Sequence, residues 1–148
     1  MARLLLLAAC EKAIIDLDNT VSLMRLIEEV TVQVPAGATP LPNAGIPMQW
    51  AIVAVFEQEP GDQNKTFEQY TAFVSSSNDI LFQSPIAAFE LKTDKHRITT
   101  QVNGMPLGRV GKHHIKCYIR EKGKTVWTER GSYPIQIKWA SSLIATPH

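Results

Sequence analysis

The side chains best suited to binding chemistry lie in the last third of the sequence, where apolar and charged residues alternate. In the stretch HHIKCYIR, residues 113–120, His, Ile, Cys and Ile take every second position, and His, Lys, Tyr and Arg take the positions between them. Because successive side chains of a strand point to opposite faces of a sheet, this order predicts one buried face and one basic face with an aromatic ring. Together with nearby cations, the predicted binding surface consists of Lys112, His114, Lys116, Tyr118, Arg120, Lys122, Lys124 and Arg130.

A basic face with an aromatic ring can bind an acidic protein, a second copy of the chain, or the phosphate backbone of a nucleic acid. The simpler interpretation is that these cations solvate an exposed sheet face and discourage the pairing of sheet edges. If the face has a function, we favour a non-catalytic binding or assembly module with a protein partner or self-association. Nucleic-acid binding is the alternative. We expect no membrane contact, because no stretch of the sequence approaches the roughly 18 apolar residues that span a bilayer.

Nucleophilic catalysis needs a Ser or Cys beside a histidine base and an orienting acid. The sequence contains no GxSxG motif, and the serines at 75–77 are typical of a loop. Cys117 and His113 lie four residues apart on one predicted strand face, about 13 Å at roughly 3.3 Å per residue, and cannot touch within that strand. Cys10 beside His113 across strands remains open. A small hydrolase is therefore the less favoured alternative, and no catalytic residue is assigned.

The histidine pair at positions 113 and 114 suggests a metal site at first sight. Consecutive strand residues face opposite sides, however, so both rings cannot bind one ion without distortion. The other histidines are His96 and His148, and the sequence has no close cysteine pair. We expect no zinc site and no cofactor.

Carboxylates in the predicted turns offer a second kind of metal site. If every strand reverses direction, four aspartates meet at one end of the fold, and their oxygen ligands suit Ca²⁺. These residues are Asp16, Asp18, Asp62 and Asp94. Lysines in the same connections would neutralise such a site, so a solvated charged rim is the simpler interpretation. The sequence leaves open whether these carboxylates bind a cation.

The first ten residues, MARLLLLAAC, match the pattern of small residues that precedes a lipidated cysteine in exported proteins. An export signal needs an apolar region of about 7–15 residues, and only residues 4–9 separate Arg3 from Cys10. The following EKAIIDLDNTVSL continues as strand, turn and strand. We therefore expect a buried first strand in a cytoplasmic protein, with Cys10 and Cys117 as free thiols.

The length and composition indicate one globular domain. The chain has 148 residues, of which 45% are hydrophobic and 20% charged. The net charge of +1 hides an asymmetry, since residues 1–91 contain 4 Lys or Arg against 11 Asp or Glu, whereas residues 109–148 contain 8 against 2. The basic character is concentrated at the end of the chain.

Short β-branched and aromatic runs between turn residues predict an all-β fold, since no segment keeps helical periodicity for more than two turns. About eight strands at this spacing indicate an antiparallel β-sandwich over residues 1–139, with a loose tail at 140–148. Glu28 and Glu29 interrupt a predicted strand over residues 20–34 and indicate a bulge or bend there.

The connection Pro35–Pro47 contains four prolines, two glycines and no charge, which excludes a helix or a central strand. Because prolines restrict this connection, ordering it against a partner would lose less entropy than ordering a glycine-rich loop. It is a second candidate binding element. It can equally pack over an open end of the sandwich.

Several stretches together resemble a family of small bacterial proteins known only as a domain of unknown function. They are LLLLAACEKAIID, the turn DNTVSL, the proline-rich connection, PMQWAIVAVF and GKHHIKCYIREKGKTVWTERGSYPIQI. The resemblance covers nearly the whole chain through spacing and hydrophobic pattern. It implies a C2-like or immunoglobulin-like sandwich in a bacterial cytosol, and it implies no catalytic residues. The strongly basic closing region departs from the family pattern.

Overall fold

The computed structural model describes residues 1–142, which form ten β-strands in two sheets. The strands are β1 (Arg3–Ile15), β2 (Val21–Leu26), β3 (Glu29–Pro35), β4 (Gly45–Glu57), β5 (Thr66–Val74), β6 (Ile80–Gln83), β7 (Ala87–Glu90), β8 (Lys95–Pro106), β9 (Gly111–Glu121) and β10 (Thr128–Ser142). Sheet A has the order β2-β1-β4-β8, and sheet B has the order β3-β10-β9-β5-β6, with β7 also paired to β5. No helix occurs in residues 1–142, so the predicted all-β class is confirmed.

The strand count and one strand direction differ from the prediction. The described part of the chain has ten strands rather than about eight, and β6 was not predicted. The pair β3–β10 is parallel, so the prediction of a purely antiparallel arrangement is wrong. The physical reason lies in the path of the chain between β2 and β3.

At residues 27 and 28 the chain passes from one sheet to the other. The amide of Ile27 donates to the carbonyl oxygen of Ala9 in sheet A, at 2.8 Å, and the next carbonyl, that of Glu28, accepts from Gln136 in sheet B, at 2.9 Å. The predicted break in the strand over residues 20–34 therefore falls at this corner. By crossing here, β3 enters sheet B alongside β10 and in the same direction.

The main core lies between the two sheets. Trp50 and Ile52 of sheet A pack in one cluster with Phe73, Ile115 and Ile137 of sheet B. The inward side chains predicted for β9 are all fully buried, and they are His113, Ile115, Cys117 and Ile119. Burying one isoleucine side chain stabilises the folded state by roughly 1.5–3 kcal/mol. The alternation therefore fixes which face of β9 meets solvent.

The outer face of sheet A is covered by the β1–β2 hairpin. Cys10 and Val53 point away from sheet B, yet each is 0% exposed. Leu23 of the hairpin packs on them, and the hairpin turn reaches β8, where Arg97 donates to the backbone oxygen of Asn19 at 3.2 Å and to its Oδ1 at 3.0 Å. β1 is thus an interior strand of sheet A that is buried at Ala8, Ala9 and Cys10, whereas the sequence predicted only that the first strand is buried.

Two predicted boundaries shift. Residues 45–47 of the proline-rich connection belong to β4, where Pro47 lies at a register shift between Ile46 and Gln49 and needs no ladder donor. β10 continues to Ser142, past the predicted domain boundary at residue 139, because its last residues pair with β3 up to Pro35. Residues 143–148 of the predicted tail lie outside the described residues. Among those described, no helix is long and apolar enough to cross a bilayer.

Candidate binding surface

The structure brings five of the eight predicted binding residues together on one open sheet face. They are the outward side chains of β9 and form what we call the basic row: Lys112, His114, Lys116, Tyr118 and Arg120. β9 lies between β5 and β10, so the row runs through the interior of sheet B on its outer face. Lys122 and Lys124 follow in the connection after β9, and Arg130 lies at the bulge of β10; all three side chains are exposed.

Two carboxylates reduce the positive charge of the basic row. Arg120 Nε lies 3.1 Å from Glu68 Oε1 on β5, and Lys116 Nζ lies 3.7 Å from Glu129 Oε1 on β10. Glu68 lies on β5, which is distant from β9 in sequence, and Glu129 lies on β10, which follows β9 after a turn. Their positions beside the basic row depend on strand pairing, so the sequence pattern did not reveal them. The surface is therefore less positive than the sequence suggests.

An aromatic cluster formed by Tyr70, Tyr118 and Trp127 occupies one end of this face. Tyr70 stands opposite Tyr118 in the strand register, and their rings stack at 4.8 Å between centroids with an interplanar angle of 18°. The Trp127 ring meets Tyr70 edge-on at 4.7 Å, and the Arg120 guanidinium lies 4.1 Å from the Trp127 ring centroid. Cross-strand aromatic pairs of this kind stabilise a sheet and also fix the ring positions.

The environment of the two tyrosines keeps their hydroxyls protonated. Burial raises the pKa of Tyr70, and the neighbouring Tyr118 adds to the shift. Burial also raises the pKa of Tyr118, with a further contribution from the Glu129 carboxylate. Both hydroxyls therefore remain hydrogen-bond donors at neutral pH. The sequence identified Tyr118 but missed Tyr70 and Trp127, whose place beside it depends on strand pairing.

The other end of the face is a hollow rather than a cluster. Opposite Lys116 and His114 stand short side chains on both neighbouring strands. These are Ala72, Val74, Ser132 and Pro134. A cavity of about 350 Å³ opens here, and the turn between β5 and β6 forms its far wall.

His113 and Cys117 are structural groups on the inner side of β9. The Ser76 amide donates to His113 Nδ1 at 3.0 Å, so this nitrogen carries no proton, and Nε2 donates to the Arg109 carbonyl oxygen at 2.8 Å. Burial raises the pKa of Cys117 to about 11, which leaves a protonated thiol that is a poor nucleophile. His113 thus anchors the Ser76 turn to β9.

The arrangement of Cys10 beside His113 is excluded by their places in the fold. Cys10 lies on the outer side of sheet A beneath the β1–β2 hairpin, whereas His113 points to the inner side of sheet B and packs against Phe73. Sheet A lies between them. The residues that the sequence offered for a hydrolase therefore do not meet.

The loop aspartates do not gather at one site. Asp18 accepts hydrogen bonds from the hydroxyl and amide of Thr20, at 2.6 and 3.2 Å, and the Thr20 hydroxyl is the main cause of the lowered pKa of Asp18. Asp62 is buried and accepts from the Glu59 amide at 2.9 Å. Asp18 and Asp62 thus each accept a backbone hydrogen bond within their own turn, and Asp62 also lies 3.4 Å from the Met1 ammonium. Within residues 1–142, no three or more His, Cys, Asp or Glu side chains are placed to hold a metal ion.

The proline-rich connection forms one wall of an apolar groove of about 560 Å³. Its apolar lining comes from β4, β6 and β8 and includes Ile46, Ile80, Leu81, Phe82 and Met105. Leu107 and Gly108 both donate backbone hydrogen bonds to Ala44, at 2.9 and 3.0 Å, which holds the connection against the end of β8. The connection is therefore attached to the end of β8 and also shapes this groove.

The fold and site define an all-β protein of two sheets with a mixed aromatic and basic surface on one of them. No protein-family model matches the chain, and a search of curated proteins gives no significant match.

Proposed function

We propose that this chain is a non-catalytic binding module that uses the outer face of sheet B to hold an acidic segment of a protein partner or of a second copy of the chain. The observation that carries the proposal is the aromatic cluster with Arg120 beside it, set in an open sheet face and flanked by the cations of the basic row. Tyr, Trp and Arg are the residue types that dominate the binding energy of protein interfaces.

Pre-organisation of this surface supports the proposal. Arg120 is held between the Trp127 ring and the Glu68 carboxylate, and Tyr118 is held by Tyr70. Side chains that are already ordered lose less entropy when a partner binds. Lys112 adds an exposed cation with no ion-pair partner among residues 1–142 and supplies attraction for an acidic segment.

Nucleic-acid binding is the second candidate, supported by the exposed cations Lys112 on β9 and Lys122 and Lys124 in the connection that follows it. It is less favoured because base stacking requires free ring faces, whereas Tyr70 and Tyr118 stack on each other and Arg120 covers one face of Trp127. A labelled oligonucleotide that binds with an affinity falling steeply with salt supports it. No gel shift at low salt excludes it.

The test of the proposed function compares two neighbouring substitutions, Trp127→Ala and Val126→Ala. Val126 is 76% exposed and adjoins the aromatic cluster without belonging to it. Affinity capture with the wild type identifies the partner by mass spectrometry, and the binding of that partner is then measured for each variant. We expect Trp127→Ala to lose the partner and Val126→Ala to retain it. Equal binding by both variants contradicts the proposal, provided that thermal melts show both to be folded.

We further propose a cytoplasmic location with both thiols reduced. Cys10 and Cys117 are free and 0% exposed, and they lie in different core clusters rather than facing each other. When the protein is isolated from its natural source, denatured and alkylated, both thiols are expected to be modified. Lipid attachment or a disulfide at Cys10 contradicts this location.

We also propose that the chain belongs with the small bacterial proteins that its sequence resembles, and that its sheets form a C2-like or immunoglobulin-like sandwich. The continuous core between β4 and β9 supports this arrangement. An experimental structure tests it. A sandwich leaves β8 and β6 as unpaired edges, and a hydrogen-bonded β8–β6 pair contradicts it.

A further inference from the structure

The hollow end of the basic row has the form of a small anion pocket. Its nine lining residues are Val74, Ser75, Ser76, Asn78, Lys112, His114, Lys116, Glu129 and Ser132. The volume of about 350 Å³ lies at the lower end of the range for small-molecule pockets, roughly 300–1,000 Å³. The pocket therefore suits a single small group and a short carrier rather than a chain of nucleotides.

One wall of the pocket is a row of basic side chains. Lys112, His114 and Lys116 occupy alternate positions of β9, so neighbours in the row are about 6.6 Å apart along the strand. The short side chains on β5 and β10 leave the space beside them unfilled. Three nitrogen groups can therefore reach one ligand from the same side.

The opposite wall is a turn that is held by its own hydrogen bonds and lines the pocket with the side chains of Ser76 and Asn78. The Ser75 hydroxyl accepts from the amides of Ser77 and Asp79, at 3.3 and 3.0 Å, and the Ser76 amide is bonded to the buried His113 ring. Asn78 adopts a φ of 67°, which completes the turn. Ser76 and Asn78 thus line the pocket from a fixed backbone.

The charge of the pocket favours an anion. Glu129 is the single carboxylate in its lining and is paired with Lys116 at 3.7 Å. Lys112 has no carboxylate partner among residues 1–142. The remaining polar side chains are hydroxyls, an amide and an imidazole, all of which can donate hydrogen bonds.

We infer that this pocket binds a phosphomonoester group. The inference rests on the proposed function, because it assigns an anion site to the same outer face of sheet B. A phosphomonoester carries a charge of about −1.5 to −2 at pH 7 and three strong acceptor oxygens, which suits a pocket with two lysines, one carboxylate and the hydrogen-bond donors His114, Ser76 and Asn78. The group is carried either by a phosphorylated serine or threonine of the partner or by a free small phosphate ester.

The test is a titration of the isotope-labelled protein with inorganic phosphate, followed by NMR at constant ionic strength, with acetate as the control anion. We expect saturable shifts at Ser76, Asn78 and His114 that acetate does not reproduce. The variant Lys112→Gln/Lys116→Gln is expected to bind phosphate at least about tenfold more weakly, since two charge-assisted hydrogen bonds are lost. Lys12→Gln removes an exposed cation on β1 of sheet A, outside the pocket, and is expected to bind as the wild type does.

Phosphate shifts that do not saturate, that acetate reproduces, or that survive Lys112→Gln/Lys116→Gln overturn the inference. Two further probes separate the sources of the group. Tighter binding of a phosphoserine peptide than of glycerol phosphate, with shifts that extend to Trp127, assigns the group to a partner protein, and the reverse order assigns it to a free ester. Because this titration needs no partner, its outcome is independent of the Trp127→Ala capture test, and either proposal can fail alone.

Discussion

The guanidinium carbon of Arg120 lies 4.1 Å from the centroid of the Trp127 ring, while its Nε donates to Glu68 at 3.1 Å. Arg120 on β9 is thus bound both to the neighbouring strand β5 and to the connection that leads into β10. This contact fixes the Trp127 ring over the sheet and gives the aromatic cluster its shape.

A double-mutant cycle measures this contact. Arg120→Ala and Trp127→Ala are expected to show a coupling free energy of about 0.5–1 kcal/mol, the value typical of cation–π pairs at partly exposed sites. The measurement is urea unfolding of the wild type, the two single variants and the double variant. Pairing Arg120→Ala with Val126→Ala serves as the control and is expected to give no coupling. Strict additivity of the first cycle contradicts the contact.

Two buried hydroxyls predict stabilising substitutions. Tyr133 Oη and Thr99 Oγ1 are buried without a hydrogen-bond partner among the described residues, and burying a polar group in this state destabilises a fold by about 1–3 kcal/mol. Tyr133→Phe and Thr99→Val are therefore expected to raise the midpoint of thermal unfolding or leave it unchanged. A fall equivalent to 1 kcal/mol or more contradicts the absence of partners for that hydroxyl.

The two hydrogen bonds from Arg97 to Asn19 predict a change in the reactivity of Cys10. Arg97→Ala removes both hydrogen bonds to the hairpin turn, so the hairpin is expected to open more often above Cys10. Labelling with a thiol reagent under native conditions should then be faster at Cys10 than in the wild type, with Cys117 unchanged. Lys95→Ala, on the same strand, is the control. Equal labelling rates of Cys10 in all three proteins contradict the covering role of the hairpin.

His96 predicts a loss of stability in mild acid. Burial, with a smaller effect of Arg97, lowers the pKa of His96 from its ordinary value of 6.5. As the pH falls, the unfolded chain therefore binds this proton before the folded chain does. The stabilisation that comes from neutral His96 is fully present above about pH 6.5 and falls as the pH drops through the lower folded pKa. His96→Phe, which keeps a ring stacked on Phe89, is expected to lose less stability than the wild type between pH 7 and pH 5. Curves of stability against pH that run parallel for the two proteins contradict the lowered pKa of His96.

Asp79 affects the stability of the fold at lower pH than His96 does. The Arg109 guanidinium and the Ser77 hydroxyl hold the pKa of this carboxyl below its ordinary value of 3.8. The unfolded chain binds the proton first, so the stabilisation is present above that value and is lost as the pH falls below it. Asp79→Asn is expected to flatten the acid side of the stability curve below pH 4 only. A change confined to neutral pH contradicts this assignment.

Local patterns in the sequence predicted the strands well where one face is buried. The buried and open faces of β9 are those that its alternation indicates. β6 was missed because only the four residues Ile80–Gln83 form it, within a serine- and asparagine-rich stretch. Strand length and composition were too weak a signal there.

Contacts between distant strands were not predictable from one sequence. Tyr70 joins Tyr118, and Glu68 joins Arg120, only because β5 lies beside β9 in sheet B. The same pairing converts part of the predicted positive stripe into ion pairs. The hollow beside His114 likewise depends on which short side chains the neighbouring strands place opposite it.

The most direct test of the binding role is site-specific photo-crosslinking in living cells from a position beside the aromatic cluster. A photoreactive residue at Val126, beside the aromatic cluster, is compared with one at the fully exposed Leu17 on the hairpin turn of sheet A. We expect position 126 to give one adduct of defined mass, mapped to an acidic segment of another protein or of a second copy, and to lose it in the Trp127→Ala background. No adduct at position 126, or the same adduct from position 17, contradicts the account.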